Sequence, residues 1–203
     1  MFRAIEGVGS GLRQQTGNPF SHGILGGTLL PSLLWESKEH LSPDRCPSWH
    51  WSSSNSRKTV DDALYIYESR EYFICLPLAY PFLSDSCEDL ATSESKDFWP
   101  NLLCIGRILE PRSLGLELGS LNMKRYLYQE GDVFLPLVVQ LERQILEVTK
   151  KARYGLMMGL HLRKSSCGTF RRISYFRNMY GGPTTPEVAA RIAQVKPQLI
   201  III

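Results

Sequence analysis

The stretch on which the fold depends is Pro47-Ser48-Trp49-His50-Trp51-Ser52-Ser53, reached through Leu29-Leu30-Pro31-Ser32-Leu33-Leu34-Trp35. Side chains of an extended segment alternate between two faces, so an extended reading places Trp49 and Trp51 on one face and His50 on the other. Each indole can bury on the order of 200 Å². The two indoles are therefore expected to anchor a hydrophobic core, and His50 is expected at the surface.

Length and composition indicate one folded domain. The chain has 203 residues, which is enough to bury a substantial core. Hydrophobic residues make up 43% and charged residues 21%, the balance typical of a globular protein. A net charge of +3 is too small to suggest a nucleic-acid partner.

The sequence predicts a cytoplasmic protein with no membrane partner. The uncharged stretch that begins at Gln14 and ends before Glu36 contains glycine, proline, asparagine and serine and is not continuously apolar, so it does not read as a membrane span. Residues 1–12 lack the pattern of a signal peptide. The cysteines are odd in number and dispersed, which favours reduced thiols over a disulfide scaffold or a zinc site: Cys46, Cys75, Cys87, Cys104 and Cys167.

Glycines and charged runs divide the chain. Residues 1–28 are rich in glycine and are predicted to be a flexible segment. Residues 29–203 are predicted to form a single, mainly β domain, within which the acidic, serine-rich stretch 84–97 reads as a mobile loop.

The hydrophobic patterns predict the α+β class, mainly β: an antiparallel sheet, barrel-like or arranged as a sandwich, with two or three short helices. Pro136 should place its strand at an edge or a bulge. The segment 199–203 should pair inside the sheet, because an exposed apolar strand invites aggregation. Strands are predicted at 63–67, 72–76, 102–109, 133–139, 153–163, 169–176 and 199–203, and the turn 165–168 is predicted to join 153–163 and 169–176 in a hairpin. Helices are predicted at 29–35, which Pro31 could begin, from 140, and from 186, where Thr185-Pro186-Glu187 is typical of a helix start.

The chain is predicted not to be an enzyme, with no catalytic residue, cofactor or metal ligand assigned. Histidines and many serines are available for a Ser-His-Asp site, but the Gly-x-Ser-x-Gly motif of a nucleophile elbow is missing. His50 and His161 are interpreted as histidines without a catalytic role, because an imidazole needs a positioned partner for acid–base work. The alternative is a small hydrolase or a carbohydrate-binding module that uses Trp49, His50 and Trp51.

The Leu33-Leu34-Trp35 segment, a polar spacer and the double-tryptophan motif resemble the region after the signalling domain in fungal heterokaryon incompatibility proteins. The resemblance covers roughly residues 20 to 203. Its most specific members are the double-tryptophan motif and the Phe-Arg-Arg-Ile strand. Similar segments follow in the same order: Cys104 to Pro111, Leu135-Pro136-Leu137, Gly155-Leu156 and Gly168-Thr169-Phe170-Arg171-Arg172-Ile173.

The resemblance implies a non-catalytic accessory or regulatory module of a protein that acts in non-self recognition and programmed cell death. Too few residues precede Leu29 for the family's signalling domain, so the chain is expected to be a truncated form. A protein partner of unknown identity is expected. The chain departs from the family at His50, at Ser52 and in the turn at 55–58. The structural motif residues are Trp35, Pro47, Ser48, Trp49, Trp51, Phe170 and Arg172.

Overall fold

The computed structural model describes eleven ranges of the chain. They are residues 2–17, 20–21, 24–25, 29–37, 46–53, 58–60, 73–83, 101–110, 129–142, 156–178 and 186–203. Predictions that fall elsewhere lie outside the described residues, among them the strand at 63–67 and the acidic stretch 84–97. Of the helix predicted from 140, only residues 140–142 are described, and they belong to a strand.

Strands dominate the described part of the chain. The helices are α1 (Phe2–Thr16), α2 (Leu29–Leu33) and α3 (Pro186–Gln194), and a 3₁₀ turn spans Trp51–Ser53. The strands are β1 (Phe20–Ser21), β2 (Ile24–Leu25), β3 (Trp35–Ser37), β4 (Lys58–Val60), β5 (Phe73–Pro77), β6 (Tyr80–Leu83), β7 (Leu102–Gly106), β8 (Val133–Glu142), β9 (Leu156–Lys164), β10 (Phe170–Asn178) and β11 (Gln198–Ile202).

A seven-stranded sheet in the order β5-β8-β9-β10-β11-β7-β6 carries the fold. Its ladders are antiparallel except for β10 with β11, where Phe170 pairs with Ile202 in parallel. The predicted hairpin of β9 and β10 and the predicted pairing of the last strand inside the sheet are both confirmed. The pairs β1-β2 and β3-β4 form two small separate sheets.

Two apolar clusters lie on opposite faces of this sheet. The larger cluster includes buried side chains from five neighbouring strands of the sheet, β8, β9, β10, β11 and β7, and from α2, with Leu102, Leu135, Leu160 and Ile200 among its fully buried members. We call its side of the sheet the inner face. A smaller cluster on the outer face packs Phe134, Val139, Met157 and Phe176 against Ile192 of α3.

The two end strands of the sheet are consecutive in the chain. Only Leu78 and Ala79 separate β5 from β6, and both donate their N–H groups to the Leu137 carbonyl at 2.9 and 3.4 Å. The sheet therefore curls until its ends approach each other. In the described residues no ladder joins β5 to β6, so the sheet is not closed into a barrel. The architecture is α+β and mainly β, as expected.

Two local predictions are wrong, and a third is confirmed. Residues 2–16 form a helix, although their glycines favoured a loop; Phe2, Ile5, Val8 and Leu12 follow the helical period. Pro31 lies inside the short α2 and does not begin it. The expectation that Pro136 lies at an edge or a bulge is confirmed by a bulge: β8 lies between β5 and β9, and the register shift between Pro136 and Val138 accommodates the missing N–H.

Candidate functional site

The double-tryptophan segment is a turn, not the expected strand. The His50 N–H donates to the Pro47 carbonyl at 3.0 Å, and the Ser53 N–H donates to the His50 carbonyl at 3.0 Å. Because these local bonds wind the backbone, alternation between two faces does not apply. Trp49 is 0% exposed, Trp51 is half-buried, and His50 is 0% exposed instead of lying at the surface.

His50 is held by its own segment. Its ring lies between the neighbouring indoles, with centroids 5.5 Å from Trp49 and 5.1 Å from Trp51. The Nδ1 atom lies 2.6 Å from the Ser52 hydroxyl, which also contacts the Cys46 sulfur at 3.3 Å. Burial and these contacts make His50 part of the packed turn. The double-tryptophan segment therefore offers no exposed surface of His50 and both indoles for the two alternatives, a small hydrolase or a carbohydrate-binding module.

Trp35, Ser48, Trp49 and Arg172 come together, and we call them the tryptophan–arginine cluster. The Arg172 guanidinium lies 3.9 Å from the centroid of the Trp35 ring and donates through Nη2 to the Trp35 carbonyl. The Trp35 indole N–H reaches the Trp49 carbonyl at 3.4 Å. Segments that the sequence analysis grouped only by resemblance are therefore neighbours in space.

Ser48 connects this cluster through hydrogen bonds to β10 and to Ile203, the residue that follows β11. Its hydroxyl accepts the Arg172 N–H at 2.8 Å and donates to the Ile203 main-chain oxygen, which also accepts the Ser48 N–H at 3.2 Å. The Ile203 N–H in turn donates to the Phe170 carbonyl at 2.9 Å. At the point where β11 ends, Ser48 thus takes the place of a strand residue as the hydrogen-bond partner of β10. Phe170, at the start of β10, packs in the inner cluster.

Arg172 is a buried cation. Its side chain is 1% exposed, and Nε and Nη1 have no hydrogen-bond partner among the described residues. Burial lowers the pKa of Arg172 to about 9, against a smaller upward influence of Tyr175, so the guanidinium stays charged at neutral pH. The tryptophan–arginine cluster contains hydrogen-bond donors but no nucleophile with a base beside it. We therefore interpret it as a structural contact that holds β3, the turn and β10 together.

A second polar group lies on the outer face, and we call Asp132, His161, Arg163 and Ser174 the histidine relay. His161 Nε2 lies 2.8 Å from Asp132 Oδ2, and His161 Nδ1 lies 3.2 Å from the Ser174 hydroxyl. Arg163 donates through Nε and Nη2 to the two oxygens of Asp132 at 2.8 and 2.9 Å. The Phe134 ring stacks on the imidazole with centroids 5.1 Å apart.

Strand pairing builds this relay. Asp132 immediately precedes β8, and its carboxylate accepts the Gln129 N–H at 2.9 Å, which fixes the turn before the strand. His161 pairs with Phe134 on one side and with Ser174 on the other. A bulge between Arg172 and Ser174 sets that last pairing, so Arg172 points inward while Ser174 meets the histidine outside.

Electrostatics fix the protonation of the relay. Burial alone would raise the pKa of Asp132, but hydrogen bonds from Arg163, Gln129 and His161 lower it overall, so Asp132 is a carboxylate. Burial lowers the pKa of His161 despite the opposing hydrogen bond and charge of Asp132, so the imidazole is neutral near pH 7. A carboxylate only accepts, so Nε2 carries the hydrogen and Nδ1 accepts from Ser174.

Acidification is expected to destabilise the fold through His161. Its pKa in the folded state lies below its ordinary 6.5, so the unfolded chain takes up the proton first as pH falls. Stability is full above about pH 6.5 and declines below it, and the lowered pKa of Asp132 extends the loss below about pH 4. The free energy of unfolding, measured by urea denaturation between pH 7 and pH 5, should therefore decrease, and less so in His161→Gln. Equal decreases in both proteins would contradict this assignment.

From the sequence, His161 is interpreted as a histidine without a catalytic role, and neither Asp132 nor Ser174 is singled out. The hairpin of β9 and β10 was predicted, and polar residues facing each other across it were the available signal. The bulge hid their pairing, and Asp132 lies 29 positions from His161.

The described cysteines are free thiols in different surroundings. Cys104 is buried in the inner cluster, where burial raises the pKa of its thiol to about 12. Cys167 is exposed in the turn between β9 and β10, where hydrogen bonds from Ser165 and Thr169 lower its pKa to about 7. Cys46 is half-buried beside Ser52.

Within the described ranges, no group of three or more histidine, cysteine or acidic side chains is placed to hold a metal ion. The helices that the structure describes are all too short or too polar to cross a lipid bilayer. Comparisons of the chain with models of protein families, with curated proteins and with solved structures give no match.

Proposed function

We propose that this chain is a protein-interaction module, an accessory or regulatory region of the heterokaryon incompatibility type that acts in the cytoplasm. The resemblance of the double-tryptophan and Phe-Arg-Arg-Ile segments supports the family. The contacts of Trp35 and Ser48 with Arg172 give these segments a common structural role. The surface described next supports the interaction.

One observation carries this proposal: the outer face of β6, β7 and β11 is apolar, and its side chains are exposed or half-buried with no other described helix or strand packed on them. Leu199 pairs with Ile105, which pairs with Tyr80, and these side chains are 58%, 47% and 62% exposed. The next row is Ile201, Leu103 and Phe82. We call these six residues the apolar face. Contiguous apolar surface of this kind marks interaction sites in folded proteins.

An amphipathic helix of a partner protein, with acidic residues flanking its apolar side, is the occupant that fits this face. The same side of the sheet is already covered over β8, β9 and β10 by the helix α3, so a second helix would extend that layer. The described charged residues that flank these strands are mainly basic: Arg107 follows β7, Lys196 precedes β11, and Arg171 follows Phe170, which pairs with Ile202 of β11. Glu110, three positions after Arg107, is acidic. Their charge favours an acidic partner over a second copy of this chain.

Binding to the apolar face can be tested with a synthetic amphipathic helix that carries leucines on one side and glutamates on the other. We expect fluorescence anisotropy to give an affinity at least about tenfold higher than that of the same helix with lysines. Ile105→Lys should weaken binding of the glutamate helix about tenfold or more. Val8→Lys is the matched control, because Val8 is an exposed apolar residue of α1 outside the face, and it should leave binding unchanged.

Two results would overturn this proposal. Equal affinity of the wild-type chain and Ile105→Lys for the glutamate helix would remove the apolar face from binding. A concentration-dependent dimer in analytical ultracentrifugation, lost in Ile105→Lys and kept in Val8→Lys, would assign the face to a second copy of the chain.

A further inference from the structure

We propose that Ser174 is a base-activated nucleophile and that the histidine relay is an acyl-transfer site for carboxylic esters. This activity is separate from the proposed interaction, because the relay lies over β8, β9 and β10 and not over the apolar face. The sequence left a small hydrolase as an alternative, but with His50 as its histidine. In the structure, the hydroxyl, base and carboxylate that a hydrolase requires surround His161 instead.

The argument begins with the direction of the hydrogen bonds. The Asp132 carboxylate accepts from His161 Nε2 at 2.8 Å and is itself held by both donors of Arg163 and by the Gln129 N–H. With the hydrogen fixed on Nε2, the lone pair of Nδ1 faces the Ser174 hydroxyl at 3.2 Å. This is the order of groups that a serine nucleophile requires: a hydroxyl, a base and a carboxylate that orients the base.

Ser174 is the most accessible of the three groups. Asp132 and His161 are buried, whereas Ser174 is only partly buried. Phe134 stacks on the imidazole and restricts its rotation, and Phe176, two positions from Ser174 on the same strand, packs edge-on against Phe134. These two rings add apolar surface beside the imidazole on the face where Ser174 lies, which favours an apolar acyl group.

The chemistry balances with water as the only co-reactant. The Ser174 oxygen attacks the ester carbonyl carbon and forms a C–O bond, while its proton passes to His161 Nδ1. The imidazolium returns that proton to the leaving alcohol oxygen as the original ester bond breaks. Water then gives a proton to Nδ1 and attacks the acyl carbon, which releases the carboxylic acid, and the proton returns to the Ser174 oxygen.

A fluorophosphonate reporter tests the nucleophile directly. Attack by the Ser174 oxygen on phosphorus would expel fluoride and leave about one covalent label per chain, located by peptide mass spectrometry. We expect Ser174→Ala to lose the label and His161→Gln to label roughly 100-fold more slowly, the usual contribution of a general base. The urea-unfolded chain supplies the background rate.

Ser52→Ala is the matched control. Ser52 also lies within hydrogen-bond distance of a histidine Nδ1, 2.6 Å from that of His50, so a merely histidine-adjacent serine would label equally well. Ser52→Ala should label at the wild-type rate, and p-nitrophenyl butyrate should give a burst of nitrophenolate with both the wild-type chain and this variant.

Labelling of the folded chain no faster than of the unfolded chain, or labelling that survives Ser174→Ala, would overturn the proposal. Circular dichroism of each variant separates loss of the nucleophile from loss of the fold. If Ser174→Ala is folded and unlabelled while His161→Gln labels at the wild-type rate, the imidazole is not the base and the relay is not an acyl-transfer site.

Discussion

Replacing Trp49 with alanine is expected to lower the free energy of unfolding by about 3–5 kcal/mol, the usual cost of removing a buried aromatic side chain. Trp49 is 0% exposed and belongs to the inner cluster together with Leu33, Leu34 and Ile202. Its deletion leaves a cavity where the turn, α2 and β11 meet. Chemical denaturation followed by circular dichroism measures the loss.

Trp51→Ala is the matched control, because it removes the same side chain two positions away where it is only half-buried. Its loss should be clearly smaller than that of Trp49→Ala, since less apolar area returns to water. Equal losses, or an unchanged midpoint in Trp49→Ala, would contradict the role of Trp49 as the anchor of the inner cluster.

Replacing Gly159 with alanine is expected to destabilise the sheet by about 3 kcal/mol, at the upper end of the usual range for overpacking, or more. A Cβ atom at this position would lie 2.1 Å from the Leu135 carbonyl oxygen and 2.7 Å from the Pro136 Cα atom. Both belong to the main chain of β8, so the strand itself must shift. Thermal or urea unfolding of Gly159→Ala against the wild-type chain measures the effect.

Gly7→Ala makes the same chemical change where there is room. No atom lies within 4 Å of a Cβ atom at Gly7, which is in the middle of α1. Alanine is favoured over glycine in a helix by about 0.5–1 kcal/mol, so this variant should be unchanged or more stable. A Gly159→Ala protein as stable as Gly7→Ala would show that β8 and β9 do not approach as closely as described.

Local composition was sufficient to predict most of the sheet. Apolar runs bounded by turn residues marked β7, β8 and β11, and the segment Ser165 to Gly168 marked the turn of the β9-β10 hairpin. The Thr185-Pro186-Glu187 sequence predicted the start of α3. The order of the strands in the sheet could not be predicted. Nothing in the local sequence indicates that β11 lies between β10 and β7, or that β5 and β6 lie at opposite ends of the sheet.

The candidate residues divide in the same way. Large aromatic side chains contribute strongly to core packing, so Trp35 and Trp49 could be proposed as anchors from the sequence, although the same reasoning also selected Trp51, which is only half-buried. The backbone conformation around Trp49 could not be predicted, because the same residues are compatible with a strand or with a serine-rich turn. Local hydrogen bonds stabilise the turn. The histidine relay depends on a bulge and on two ladders, and neither is visible in one segment.

The position of β11 constrains how the chain reaches its native state. Residues 198–202 lie between β10 and β7, so these two strands have no shared neighbour until that segment has been synthesised. Until then, both would present unsatisfied edges to other nascent chains. The sheet is therefore expected to be completed only after residues 198–202 have been translated. Chaperones would protect the open edges of β10 and β7 most just before this segment emerges from the ribosome.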